Sequence, residues 1–151
     1  MNAEIKSLPN FEVLGLSLKT LPKSPEIPKL WDAFVARMSE IKNRSEANVS
    51  YGVMESDEGM TSLRYMAGVP IDKGATVPEG MKSWNIAAKT YAVFETRLSE
   101  ISKTFDGIFG SWLPQSEYQT DTGPLLERYG EAFDPEKHPV LEICIPVVKK
   151  T

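Results

Sequence analysis

The sequence predicts an α+β fold in which two strand–helix–strand–strand halves share one sheet, with two helices on one of its faces. Three observations predict it: the length of 151 residues suits a single domain over 1–151, the average composition suits a globular chain, and one order of elements occurs twice. The halves span about residues 10–70 and 80–150. An amphipathic helix beside a hairpin cannot bury its apolar stripe alone, so two such units are expected to pack side by side, with a ligand groove at their seam.

The first half begins with a strand predicted over 11–19, and Ser24 with Pro25 is typical of a helix start. Seven apolar residues then recur at three- and four-residue steps and predict a helix of about four turns: Ile27, Leu30, Trp31, Phe34, Val35, Met38 and Ile41. Two strands, the four-residue turn between them and a connector rich in Pro and Gly complete this half: 49–55, 60–69, 56–59 and 70–80.

The second half repeats this order. An extended stretch over 81–86 merges into 88–95, and a second amphipathic helix is predicted over 96–112, stopped by Pro114. Its apolar stripe consists of Leu98, Ile101, Phe105, Ile108, Phe109 and Trp112. The last two strands are predicted over 125–130 and 140–148, because both stretches are rich in apolar residues and flank a polar loop.

Charge and composition exclude several classes of function. The net charge of −4 disfavours direct nucleic-acid binding and is compatible with attraction of cations. His138 and Cys144 are the only residues of their types, so neither a metal site nor a disulfide is expected, and no cofactor motif is present. No apolar run approaches the roughly 18 residues of a membrane span. The N-terminus lacks the apolar core of a signal peptide, which predicts a cytoplasmic protein.

Aromatic residues are the distinctive feature of this composition. The chain holds 3 Trp, 5 Tyr and 6 Phe, and seven Tyr and Trp residues fall on elements that would border a central groove: Trp31, Tyr51, Tyr65, Trp84, Tyr91, Trp112 and Tyr118. Core packing is the simplest interpretation of any one of them. As a set they favour a pocket, because Tyr and Trp carry polar tips that a dry core does not need.

Glu127 is the candidate anchor of such a pocket. Side chains alternate across a strand, so Leu125, Glu127 and Tyr129 share one face of their strand. If that face points inward, the carboxylate is costly to keep charged, and a cationic ligand would relieve the cost together with aromatic faces. The alternative from spacing alone is that Glu127 points to solvent or pairs with a lysine.

Segments distributed over about 140 residues resemble the GyrI-like small-molecule-binding domain, also called the AraC-type effector-binding domain, of bacterial multidrug-responsive regulators and stand-alone proteins. The matching segments, in order, are 11–15, 27–34, 51–53, 65–69, 78–81, 91–94, 112–118, 126–129 and 142–147. Within the family the chain is most similar to mobile-cassette (integron) proteins that bind cationic drugs. No segment is diagnostic alone, and their joint order carries the resemblance.

The resemblance implies a pseudo-twofold pair of modules, an antiparallel sheet and an aromatic pocket between the modules for lipophilic, often cationic, compounds. Glu127 and Tyr129 match the family's Glu-x-Tyr segment, and five aromatic residues complete the predicted ligand-binding set: Trp84, Tyr91, Trp112, Tyr65 and Tyr51. Two departures stand out. No helix-turn-helix domain precedes the first strand, so operator binding is not expected, and the stretch Gln115-Ser116-Glu117-Tyr118 lacks the glycine that often precedes the tyrosine.

Three functions are compatible with these residues. The leading hypothesis is a stand-alone binding protein for amphipathic, cationic small molecules, with no catalytic residues. The second is a hydrolase of small electrophilic compounds that uses Glu127 with Tyr91 or Tyr129, although the sequence offers no independent nucleophile, which favours binding over catalysis. The third is a protein-interaction module for a regulator or gyrase. A homodimer through edge strands also remains open.

Overall fold

The fold is described from a computed structural model over residues 1–21, 24–56 and 62–151. Nine strands lie in these ranges: β1 Glu4–Leu8, β2 Phe11–Thr20, β3 Ser50–Ser56, β4 Leu63–Ile71, β5 Lys82–Ile86, β6 Lys89–Arg97, β7 Tyr118–Thr120, β8 Leu125–Tyr129 and β9 Val140–Lys149. The helical elements are α1 Glu26–Arg37, the 3-10 turns Met38–Glu40 and Leu98–Glu100, α2 Ile101–Gly107, the π-helical turn Ile108–Trp112 and α3 Leu113–Gln115. Residues 98–115 are therefore helical throughout and are called here the second helical segment. In the described part of the chain, no helix has the length and apolar character needed to cross a membrane.

The strands form an antiparallel sheet whose order is symmetric about its centre. The order is β1-β6-β9-β8-β3-β4-β2-β5, and the short β7 pairs with the end of β9. β8 and β3 pair at the middle; β9 and β6 follow on one side as β4 and β2 follow on the other. Since α1 precedes β3 and the second helical segment precedes β8, each half follows the predicted strand–helix–strand–strand order. The predicted α+β fold class is confirmed.

Two short connections force this sheet to curl. Only Pro9 and Asn10 join β1 to β2, and only Ala87 and Ala88 join β5 to β6. Three Cα–Cα steps span at most about 11 Å. In a flat sheet, the six strand spacings between β1 and β2 would measure about 29 Å. The two ends of the sheet are therefore drawn together, and its outer strands close over the face opposite the helices.

Both helices pack on one face of the sheet. Phe34 of α1 and Ile108 of the second helical segment are fully buried, and burial of such a side chain stabilises the fold by about 1.5–3 kcal/mol. The strand registers place their apolar partners on one face: Leu14, Tyr65 and Val69 beneath α1, and Phe94, Ile143 and Ile145 beneath the second helical segment. The opposite face is also apolar and holds a third cluster that includes Tyr51, Trp84 and Tyr91. A single sheet thus separates two buried layers.

The structure corrects several predicted boundaries. The stretch predicted to run continuously from 81 to 95 forms two strands at different places in the sheet, because β5 pairs with β2 whereas β6 pairs with β9. β6 continues to Arg97, so the second helix begins at Leu98 rather than at 96, and it ends at Gln115 rather than before Pro114. β1 and β7 were not predicted. The predicted turn over 56–59 lies largely outside the described residues.

Candidate functional site

The cleft on the helical face lies over the symmetric centre of the sheet. It has a volume of about 700 Å³ and opens between α1 and the start of the second helical segment. Its floor comes from β3, β4 and β8, and a loop after β8 closes one side. Fourteen described residues line it: Ile27, Pro28, Trp31, Asp32, Val35, Met38, Ser50, Tyr65, Leu98, Ile101, Glu127, Tyr129, Phe133 and Pro135.

The register of the two central strands carries Glu127 into this cleft. β8 alternates its side chains, and Glu127 lies directly opposite Gly52 of β3. Leu126 and Arg128 consequently point to the other face of the sheet. Glu127 is only 7% exposed, and it is one of two polar residues among the buried ones of the described chain. A carboxyl group so placed requires compensating hydrogen bonds.

Three neutral donors form a chain of hydrogen bonds that ends on one oxygen of Glu127. The Tyr65 hydroxyl donates to Glu127 Oε1 at 2.6 Å, and the Tyr129 hydroxyl donates to the same oxygen at 3.3 Å. The Trp31 indole Nε1 donates in turn to the Tyr65 hydroxyl oxygen at 2.8 Å. The network links α1, β4 and β8, so the two halves of the molecule meet at this carboxyl group.

Burial controls the electrostatics of Glu127. Desolvation raises the pKa of Glu127, and the hydrogen bonds from Tyr65 and Tyr129 counteract part of that rise. Burial likewise raises the pKa of both phenols, so they remain protonated donors. Among the described residues that line the cleft, the only other charged side chain is Asp32, which is exposed on α1. The lining therefore provides acidic groups and no fixed positive charge.

Gly52 provides the space for the carboxyl group and its principal donor. A Cβ at this position would overlap both the Tyr65 hydroxyl and Glu127 Oε1. The close approach of these two groups above the β3 backbone thus requires glycine. This observation ties the hydrogen bond of the cleft floor to one backbone position.

Aromatic rings form one continuous wall beside Glu127. The Trp31 ring contacts the Tyr129 ring edge to face, with centroids 5.2 Å apart, and Tyr129 contacts Phe133 in the same manner at 4.8 Å. Ring faces and edges of this kind can surround a flat or lipophilic ligand, and a ring face attracts a cation. Val35, which is 60% exposed, extends the apolar surface along α1.

The structure brings together three of the seven sequence-predicted ligand residues. Glu127, Tyr129 and Tyr65 line the cleft. Tyr51, Trp84 and Tyr91 lie in the cluster on the opposite face, and Trp112 packs in the core beneath the second helical segment. Trp112 stacks at 6.3 Å on Tyr118 and meets Phe94 edge to face at 5.0 Å.

Tyr51 lines a second, smaller cavity of about 470 Å³ on that opposite face. Its wall includes Arg128, which is 3.4 Å from Glu142, together with the buried Cys144. Burial raises the pKa of the Cys144 thiol to about 12. Lys6 and Glu46 also line this cavity, so its charges are mixed. No set of three or more His, Cys, Asp or Glu side chains could hold a metal ion anywhere in the described ranges.

The predicted ligand-binding set left out Trp31, although this residue was counted among the groove aromatics, and sequence reasoning did not consider Asp32 or the loop residue Phe133. A signal for the two helix residues exists, because Pro28, Trp31, Asp32 and Val35 recur at three- and four-residue steps along the face of α1 that borders the cleft. The predicted apolar stripe of this helix is wide because part of it faces the cleft rather than the core. No comparable pattern marks Phe133, which lies in a loop.

Comparison with known proteins identifies the family of this chain. The family model of the GyrI-like small molecule binding domain matches residues 1–148. Among curated proteins, the chain is 29% identical over 153 residues to the transcriptional regulator BrlR of Pseudomonas aeruginosa, and the match covers 97% of this chain and 56% of that protein. The chain thus spans little more than half the length of this relative.

Solved structures share the fold over almost the whole chain. The structure of SAV2435 bound to tetraphenylphosphonium has a TM-score of 0.79 and 16% identity, and the match covers 98% of this chain and 94% of that one. An integron cassette protein from the mobile metagenome of Vibrio cholerae has a TM-score of 0.64 and 17% identity, covering 97% and 95%. At these identities the likeness shows a common fold.

Proposed function

The chain belongs to the GyrI-like small molecule binding domain family, and from its cleft we propose that its ligands are amphipathic organic cations anchored by Glu127. A single observation carries the proposal: a buried carboxyl group receives hydrogen bonds only from neutral donors, inside a cleft whose described lining has no cation. A positively charged ligand would supply the missing partner.

Burial makes this carboxylate an effective anchor. An ionised group in a low-dielectric site is destabilised, and an opposite charge nearby compensates for that loss. The Tyr65 hydroxyl fixes the position of the group, so little conformational entropy is lost when a ligand arrives. Each aromatic face adds about 0.5–2 kcal/mol of cation–π attraction. Apolar side chains such as Val35 would cover the lipophilic body of the ligand.

One relative supports this choice of ligand. SAV2435 has been solved bound to tetraphenylphosphonium, a lipophilic cation with four aromatic rings. Its fold matches almost all of this chain, so the compound is a suitable probe.

The test is a titration with tetraphenylphosphonium. Binding is measured by isothermal calorimetry and by Trp31 fluorescence in a Trp84→Phe/Trp112→Phe background. We expect saturable binding and quenching of Trp31, since this ring lines the cleft. Glu127→Gln should weaken binding by about 1–3 kcal/mol, roughly 5- to 150-fold, the scale of the attraction between two unit charges several ångströms apart at an effective dielectric constant of about 20.

The matched control is Glu142→Gln, which removes a carboxylate from the opposite face of the sheet. This variant should bind tetraphenylphosphonium as the wild type does. Equal affinity of Glu127→Gln and wild type, with both variants folded by circular dichroism, would show that Glu127 is not the anchor.

A further inference from the structure

The geometry of the Glu127 carboxyl group points to a second ligand class for the same cleft. We propose that the cleft also binds neutral aromatic molecules that carry a hydrogen-bond acceptor, and that a proton on Glu127 Oε2 selects them over cations. This inference rests on the proposed function, because it assumes that the cleft is the binding site and Glu127 its anchor.

The direction of the hydrogen bonds fixes where the proton can be. An indole nitrogen can only donate, so the Trp31 bond makes the Tyr65 oxygen an acceptor and leaves its one proton for Glu127 Oε1. Tyr129 donates to the same oxygen. Oε1 therefore acts as an acceptor in both states of the group, either as a carboxylate oxygen or as the carbonyl oxygen of the acid. A proton taken up by Glu127 is held by Oε2.

No described residue hydrogen-bonds to Oε2, and the groups that surround the carboxyl offer it no positive charge. From the elements packed around the cleft, the polar or charged contributions besides Glu127 are Asp32 and the Trp31 indole N–H on α1, Ser50 on β3, Tyr65 on β4 and Tyr129 on β8. The second helical segment and the loop after β8 contribute apolar residues. Oε2 is thus the oxygen left for a ligand.

The two protonation states then present opposite chemistry to that ligand. As a carboxylate, Oε2 attracts a cation; as an acid, its O–H donates to a carbonyl, phosphoryl or ring-nitrogen acceptor. A cation and the proton compete for one oxygen, so binding of a cation to the acid form releases a proton. Burial raises the pKa of Glu127, so the acid form persists to higher pH than for an exposed glutamate.

Glu127→Gln is a permanent mimic of the acid state. Its amide oxygen can accept from Tyr65 and Tyr129, and its amide nitrogen can donate into the cleft. The variant is therefore expected to retain neutral ligands while it loses cations. A merely weakened or disordered cleft would lose both.

The experiment compares tetraphenylphosphonium with triphenylphosphine oxide, a neutral molecule of similar shape with a strong acceptor oxygen. Calorimetry from the lowest pH at which the protein is folded up to pH 8.5 should show that affinity for the cation rises with pH, by up to about tenfold per unit, whereas affinity for the oxide falls. In Glu127→Gln the oxide should bind independently of pH, and within about threefold of the wild-type affinity at the low-pH end of this range. Buffers of different ionisation enthalpy should reveal proton release with the cation only.

Asp32→Asn separates the effect of the second acid at the cleft. Both opposing pH trends should persist in this variant, and their disappearance would overturn the proposal by assigning them to Asp32. Cation binding that is independent of pH in the wild type would overturn the inference and leave the proposed function standing. Absence of tetraphenylphosphonium binding at every pH would overturn both.

Discussion

Gly52→Ala tests whether the floor of the cleft is built as the structure indicates. The added methyl would overlap the Tyr65 hydroxyl and Glu127 Oε1, and would lie 3.0 Å from Tyr65 Cζ. Neither group can move independently, because they are joined by the 2.6 Å hydrogen bond and packed in the core. The substitution must therefore separate them or shift β3.

The expected cost follows from these contacts. Loss of a hydrogen bond to a charged group costs about 1.5–3 kcal/mol, and one extra methyl in a packed site costs about 1–3 kcal/mol. The same displacement relieves the overlap and breaks the hydrogen bond, so the two costs are not fully additive, and we expect the free energy of unfolding to fall by about 3 kcal/mol. For a chain of this size that corresponds to a decrease in Tm of about 6–12 °C.

Urea denaturation followed by circular dichroism measures this effect, with two comparisons. Gly110→Ala is the control, because no heavy atom would lie within 4 Å of its new Cβ, and we expect no loss of stability. In a Tyr65→Phe background the hydroxyl is already absent, so Gly52→Ala should cost at least about 1 kcal/mol less. Strictly additive effects, or a Gly52→Ala protein as stable as wild type, would refute the reasoning.

Protonation, core packing and thiol burial give three further tests. Glu127→Gln should raise the free energy of unfolding at pH 8, by about 1.4 kcal/mol for each unit by which burial raises the pKa of Glu127, and should lose this advantage toward pH 4. Because the pKa of Glu127 is raised in the folded state, its protonated form stabilises the fold below the unfolded pKa of about 4.3, and this stabilisation is lost as the pH rises. An equal advantage of Glu127→Gln at pH 4 and pH 8 in urea melts would contradict this reasoning. Phe34→Ala should cost about 3–5 kcal/mol in the same assay, whereas Val35→Ala should change stability by less than about 0.5 kcal/mol, since the first side chain is fully buried and the second is 60% exposed. Equal losses would be inconsistent with the packing of α1. Cys144 should resist iodoacetamide at pH 8 unless the protein is denatured, because burial raises the pKa of its thiol to about 12, and rapid native labelling seen by mass spectrometry would contradict its placement.

Local patterns predicted the elements that have strong periodicity. The stripe from Ile27 to Ile41 predicted α1, and in the structure a helix and a 3-10 turn cover almost all of this stretch. Strand alternation predicted that Glu127 and Tyr129 share a face, and both line the cleft. β1 was missed because its residues are mostly exposed and carry no apolar pattern.

The aromatic residues of the candidate site could not be assigned in the same way. Tyr51 and Tyr65 both lie on strands beside the molecular centre, yet they point to opposite faces of the sheet. In a sheet with one solvent-exposed face, polar neighbours along each strand would show which tyrosine points to solvent. Here the sheet curls and buries both faces, so apolar residues occupy both sides of each central strand.

The amino-acid sequence alone determined the strand–helix–strand–strand order of each half, the amphipathic helices and the shared strand face of Glu127 and Tyr129, because these depend on neighbours a few residues apart in the chain. The tertiary structure decided which face of the sheet the helices cover, and hence that Trp31 and Asp32 line the same cleft as Tyr65 and Glu127. The register between β3 and β8 decides which β8 side chain points into the cleft, since a shift of one residue would turn Arg128 toward it in place of Glu127. Contacts across strands so distant in sequence depend on the packing of the whole sheet.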